Sequence, residues 1–193
     1  DSLRNKPKLL IGRIRHLEEN NVRERVLRPE EFEKLYQSCP EGLKGLVLIA
    51  YYLPMRQTEI LHLTWKEIDL KRGFIRLGGD RTKNKVGSKI PLHPRIIEYL
   101  QSCPRPIHGG YVFGEKRSFN RKAYKEAVEA AGIVDFNFHD LRHCAINNMI
   151  LAGNNHFIIK QASGAKTDSV FQRYNLVTEE EMKSMKWLDE KGG

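Results

Sequence analysis

The residues with chemical potential fall in four short stretches. The most pointed is His139-Asp140-Leu141-Arg142-His143. On a helix, residues three apart share a face, so His139 and Arg142 would stand side by side. A neutral imidazole beside a permanent guanidinium suits a phosphate, because one moves a proton and the other holds negative charge. The plainer reading is a surface ion pair involving Asp140.

The second stretch is Leu53-Pro54-Met55-Arg56-Gln57-Thr58-Glu59. Arg56 sits at the break between two apolar segments. Burying a guanidinium there is costly unless it meets an anion. Glu59 could be that anion; alternatively Arg56 binds a phosphate while Glu59 orients it or supports the helix. The third stretch, Arg81-Thr82-Lys83-Asn84-Lys85, reads as a basic hairpin connection. Such a turn is ordinarily solvated or touches a nucleic-acid backbone. It matters chemically only if one lysine is held at a reacting centre. The fourth runs from Ser163 through Gly164, Ala165, Lys166 and Thr167 to Arg173-Tyr174. A tyrosine ending a short helix is ordinarily a core or surface aromatic, and nothing local marks Tyr174 as a nucleophile.

These stretches need elements to position them. A helix starts at Arg28-Pro29-Glu30-Glu31, where proline suits the first turn and the two glutamates complement the dipole. Gly42 to Leu53 is an apolar run fit for a buried helix, broken by Pro54. A second helix follows from about Gln57. Past Gly73 the pattern turns strand-like, with Phe74–Leu77, the basic turn, and Lys89–Leu92. Helical spacing returns over Pro94–Gln101, Phe119–Ala131, His139–Ala152 and His156–Ala162. Short helices over Ser169–Tyr174 and Thr178–Leu188 close the chain, with Thr178 and Glu181 fitting a capping box. The predicted class is α+β, mostly helical, with a small antiparallel three-stranded sheet at one edge.

Bulk properties set the frame. The 193 residues suit one domain of ordinary size, and 40% hydrophobic residues suffice for a core. No run approaches the roughly 18 apolar residues of a membrane span. The polar start lacks a secretory signal, so the expected setting is soluble and cytoplasmic. A formal charge of +9 attracts phosphate backbones without naming one. Cys39, Cys103 and Cys144 are odd in number and scattered, which argues against a disulfide framework and against a zinc site. Cys144 lies among apolar residues and is read as buried. No metal site is expected.

In this order and spacing the four stretches resemble the tyrosine recombinase (phage integrase) family, over roughly Leu27 to Thr178. The resemblance rests on Arg56 with Glu59 to Trp65, on Lys83 followed by Ile90-Pro91-Leu92, and on His139 to His143. It is completed by Gly164 to Thr167 with Arg173-Tyr174. Two departures stand out. Pro54 replaces a glycine common in the family and is expected to serve as another turn residue. Ala165 replaces a histidine, sometimes a tryptophan, that donates to the scissile phosphate.

The resemblance implies a mechanism. Tyr174 attacks the scissile phosphate and forms a 3′-phosphotyrosine with a free 5′-hydroxyl. Arg56 and Arg142 clamp the non-bridging oxygens. Lys83 protonates the leaving oxygen, and His139 accepts or relays the tyrosine proton. Glu59 and His143 support these residues from behind. Arg81, Lys85, Lys166 and Arg173 are expected to touch the DNA backbone. No cofactor is implied, because the two arginines and Lys83 supply the positive charge. Losing the donor at position 165 costs about 3–4 kcal/mol of transition-state stabilisation, so a slowed enzyme that still binds DNA is expected. The implied partner is double-stranded DNA, bound as a homotetramer, with a free monomer and a bacterial, phage or mobile-element source.

The implied organisation is a linker or arm over 1–26, a catalytic domain over 27–177 and a C-terminal helix or tail over 178–193. The N-terminal core-binding domain of the family is absent from this chain, so weak, salt-sensitive binding is expected. The tail carries Met182, Met185, Trp187 and Leu188 and would pack on its own domain or dock on a neighbouring protomer. The main rival is a non-catalytic DNA-binding relative, supported only by Ala165. A type IB topoisomerase and a basic RNA-binding module fit less well; the latter lacks a cluster of aromatic stacking residues.

Overall fold

Side-chain caps and prolines set where the helices begin. The computed structural model describes residues 25–81, 87–107, 109–115 and 118–164. Helix α1 spans Pro29–Ser38 and starts with proline at its first position, while Glu31 accepts from the Arg28 backbone N–H at 2.9 Å. Helix α2 spans Glu41–Tyr52 and α3 spans Gln57–Leu61. Helix α4, Pro94–Ser102, again opens on proline, with the His93 ring accepting from the Arg95 N–H. Asparagines at 120, 137 and 155 cap α5 (Arg121–Ala130), α6 (Phe138–Leu151) and α7 (His156–Ser163). Each helix sits within a few residues of its predicted position. The predicted helices over 169–174 and 178–188 lie outside the described residues.

Three short strands form one antiparallel sheet in the order β1 (Ile68–Asp69), β2 (Phe74–Leu77), β3 (Ser88–Pro91). Ile75 pairs with Ile68 on one side and Ile90 on the other. Ile75, Leu77, Ser88 and Ile90 face the core, and their sequence neighbours face outward, as the two-residue period requires. The predicted strand runs correspond to β2 and β3. The third strand is only two residues long, too short to leave a periodic signal.

Helix α2 is the centre of the core. Residues 45–51 are all buried, so it is apolar around its whole circumference, the mark of a helix packed on several sides. Helix α6 lies along it, and α1, α3 and α4 complete the surround. At Gly45 of α2 a Cβ would collide with the tip of the Tyr99 ring of α4. The Leu27 N–H donates to the Cys144 Sγ at 3.3 Å, tying the entry to α1 onto α6. Cys144 is fully buried, and burial pushes its thiol up to about 11. Arg95 pairs with Glu33, donates to the Tyr52 hydroxyl at 3.1 Å, and lies against the rings of Phe32, Tyr36 and Tyr52. Among the described residues no helix is long and apolar enough to cross a membrane.

Candidate active site

Arg56 is placed by the end of α2. Pro54 follows the last turn, and the Met55 N–H donates to the Leu53 carbonyl at 2.8 Å, a tight turn centred on Pro54. Such a turn needs a central φ that proline already holds. Arg56 is the residue before α3, and Glu59 reaches back to it twice. Its Oε2 accepts from the Arg56 backbone N–H at 2.6 Å, and its Oε1 accepts from Arg56 Nη1 at 2.8 Å. Glu59 is therefore the anion that Arg56 meets, and it also orients the side chain and caps the helix.

Arg142 comes from α6. Asn137 caps this helix through its Oδ1, which accepts from the His139 N–H at 3.0 Å. Asp140 is 2% exposed, and its carboxylate accepts from the Asn137 N–H at 2.8 Å. Asp140 is thus a buried member of a capping box and not a surface group, and it fixes the turn bearing His139. Arg142 is 8% exposed. Its Nη1 donates to the Pro54 carbonyl at 2.6 Å and its Nη2 to the Ser163 carbonyl at 2.9 Å. Among the described residues no carboxylate pairs with it. Burial and the neighbouring charge of Arg56 pull its guanidinium down to about 10, with Glu59 opposing.

The two arginines meet at the end of α7. Arg56 Nη2 donates to the Gly164 carbonyl at 3.2 Å, one residue beyond the carbonyl that Arg142 takes. The last carbonyls of a helix have no partner within it and carry the negative end of its dipole. They suit two cations. His139 is exposed beside this pair. Loss of hydration, then the charges of Arg142 and Arg56, hold its imidazole below the ordinary range. His143 stands edge-on to His139, with ring centroids 5.1 Å apart.

Arg56, Glu59, His139, Arg142 and His143 are thus brought into one neighbourhood from two parts of the chain, the start of α3 and α6. Arg81 lies apart in its bonding: its guanidinium pairs with Glu67 at 2.7 Å and donates to the His62 carbonyl at 2.8 Å. Lys83, Lys85, Ala165, Lys166, Arg173 and Tyr174 lie outside the described residues. The carbonyls of Pro54, Ser163 and Gly164 went unnoticed in the sequence, because a main-chain acceptor has no residue signature. Only Gly164, as a helix-ending glycine, offered a hint.

The chemistry available is anion binding. Among the described residues Glu59 pairs with Arg56, while the buried Arg142 guanidinium is held by the Pro54 and Ser163 carbonyls. A phosphate would supply negative charge and accept from the fork of donors.

A model of the phage integrase family matches residues 25–181. The shufflon-specific DNA recombinase of Escherichia coli is 33% identical over 170 residues, covering 88% of this chain and 42% of that protein. The tyrosine recombinase XerA of Pyrococcus furiosus is 29% identical over 171 residues, covering 81% of this chain and 59% of that protein. This chain therefore spans less than two thirds of either relative. Among solved structures, the catalytic domain of bacteriophage HP1 integrase superposes with a TM-score of 0.65 at 21% identity, covering 82% of this chain and 91% of that one. A DNA-bound lambda integrase superposes with a TM-score of 0.59 at 20% identity, covering 83% of this chain and 63% of that one. At these identities the structures show a shared fold.

Proposed function

This chain belongs to the phage integrase family of tyrosine recombinases, and from that premise we propose that it cuts and rejoins double-stranded DNA through a 3′-phosphotyrosine at Tyr174. The observation that carries the reading is Arg142, a buried cation held among the described residues by the Pro54 and Ser163 carbonyls, beside the Arg56–Glu59 pair.

In this reading the scissile phosphate docks on the two guanidiniums. The Tyr174 oxygen attacks phosphorus, and its proton passes to His139. The bond to the 5′-oxygen breaks, and Lys83 donates a proton to that leaving oxygen. The arginines hold the two non-bridging oxygens as charge builds in the pentavalent state, which is where fixed donors act most strongly. Because the phosphate ester is kept on the protein, a DNA hydroxyl can reverse the step without ATP or a metal ion. A neutral His139 at pH 7 is in the right form to accept a proton.

Residues 27–177 would be the catalytic unit and 178–193 a tail. Lys85, Lys166 and Arg173 would add backbone contacts to DNA. Arg81 would do so only by leaving Glu67. The formal charge of +9 and the DNA-bound lambda integrase of similar fold support a DNA partner. A tetramer on DNA, a free monomer and a cytoplasmic setting complete the proposal. Ala165 slows the cutting step, because position 165 lacks the donor the family carries there.

The test is covalent capture on nicked duplexes that lose a short product strand after cutting. The native chain, Tyr174→Phe and Ala165→His are compared on denaturing gels. A shifted band that vanishes in Tyr174→Phe and strengthens in Ala165→His is the expected result. No band from Ala165→His, on DNA that the protein demonstrably binds, would make the chain a non-catalytic DNA-binding relative.

A further inference from the structure

Helix α7 ends in a way that serves residues outside it. Its closing residue, Gly164, is left-handed, with φ +61° and ψ 28°. A left-handed residue at this position turns the chain off the helix axis and reorients the carbonyl that follows. Three consecutive carbonyls at this end meet side chains from three different elements. Ala162 faces the Ser88 hydroxyl of β3 at 3.5 Å, Ser163 accepts from Arg142 of α6 at 2.9 Å, and Gly164 accepts from Arg56 at 3.2 Å. The separations along the chain are 74, 21 and 108 residues. Arg56 and Arg142 are each gripped at two nitrogens, one by this helix end and one by Glu59 or Pro54. A guanidinium fixed at two nitrogens keeps its plane and presents its remaining donors in one direction.

We infer that Gly164 is a positioning residue: its left-handed turn aims the end of α7 at Arg56 and Arg142 and so fixes the plane in which the two guanidiniums receive phosphate. Gly164 touches no substrate in this role. It acts through the arginines, which any L-residue with a bulky Cβ would disturb by moving the carbonyl. The inference rests on the proposed phosphate chemistry for its consequence, but not for the geometry.

Two substitutions separate backbone conformation from bulk. Asparagine enters the left-handed region more readily than alanine although it is larger. Gly153, left-handed at φ +77° just after α6 with open space around it, controls for the general cost of such a position. Gly164→Ala, Gly164→Asn and Gly153→Ala would be made in the full chain. Arginine side-chain NMR reads the grip directly, because a guanidinium held at two nitrogens rotates slowly and shows separate Nη signals. The expected result is that the separate Arg56 signals merge in Gly164→Ala, persist more fully in Gly164→Asn, and are unchanged in Gly153→Ala. Single-turnover adduct formation on the nicked duplex should follow the same order. A loss of roughly tenfold or more is expected for Gly164→Ala, with duplex affinity unchanged. Unchanged Arg56 signals in Gly164→Ala would overturn the inference, as would equal losses in the alanine and asparagine variants or an equal loss in Gly153→Ala. If the native chain forms no adduct at all, the catalytic proposal fails, and the NMR comparison still decides the role of Gly164.

Discussion

One carboxylate of Glu59 holds Arg56 at both ends: Oε2 takes the backbone N–H at 2.6 Å, and Oε1 takes the guanidinium at 2.8 Å. The helix start and the aim of the side chain are thus a single structural event.

Glu59→Gln keeps an acceptor for the backbone N–H but loses the charge, whereas Glu59→Ala loses both. Glu59 is 9% exposed while the Arg56 side chain is 28% exposed, so solvent takes up part of the loss. Glu59→Ala should lower unfolding stability by about 1–3 kcal/mol, with Glu59→Gln nearer the lower end. Urea titrations of both variants check this. Equal losses would mean that the charge, not the cap, carries the effect.

The His139 imidazole is held below its ordinary value of 6.5 by lost hydration and by Arg142 and Arg56. The unfolded chain therefore binds more protons than the folded one in the window just below pH 6.5. Stability contributed by this site rises as pH climbs through that window and is penalised below it. His139→Gln should flatten the pH dependence of the thermal midpoint there. His93 is shifted in the same direction by burial and by Arg95, so a residual slope should remain. A steeper slope in His139→Gln would contradict the assignment.

The Tyr124 hydroxyl is buried without a hydrogen-bond partner among the described residues, and burial pushes its pKa far up. Its ring meanwhile packs against Phe119 and Phe138. Tyr124→Phe keeps the ring and removes the unsatisfied group. The expected change is a gain of about 1 kcal/mol in unfolding stability. Calorimetry would show it as a raised midpoint, and a lowered one would reveal a partner for the hydroxyl.

Gly45→Ala forces a methyl group into the Tyr99 ring. Displacing that half-buried ring should cost about 1 kcal/mol. Tyr99→Ala removes the obstacle, so the double variant should recover part of the loss. Strictly additive losses would place the strain elsewhere.

Much of this architecture was legible because local rules and global packing agree. Pro29 and Pro94 mark helix starts, the run ending at Pro54 reads as a buried helix, and β2 alternates as a half-buried strand must. The Arg56–Glu59 pair was legible because its partners are three residues apart. Arg81 and Glu67 are 14 residues apart across two strands and the turn between them, and no periodicity announces such a bond. The burial of Asp140 was not legible, because a capping box and a surface ion pair share one spacing on a helix. The grip on Arg142 was invisible for a deeper reason: Pro54 and Ser163 contribute only their carbonyls, and every residue has one.

The separation of 108 positions between Arg56 and Gly164 also imposes a timetable. During synthesis a chain emerges from its N-terminal side first. A nascent chain that has reached α3 already holds Arg56 against Glu59, three residues apart. It has neither α6 nor the end of α7, so Arg56 stands without its neighbour. Arg142 arrives with α6 and meets the Ser163 carbonyl only when α7 is complete. Under the proposed function, the phosphate receptor would therefore be assembled last, by the final turn of α7.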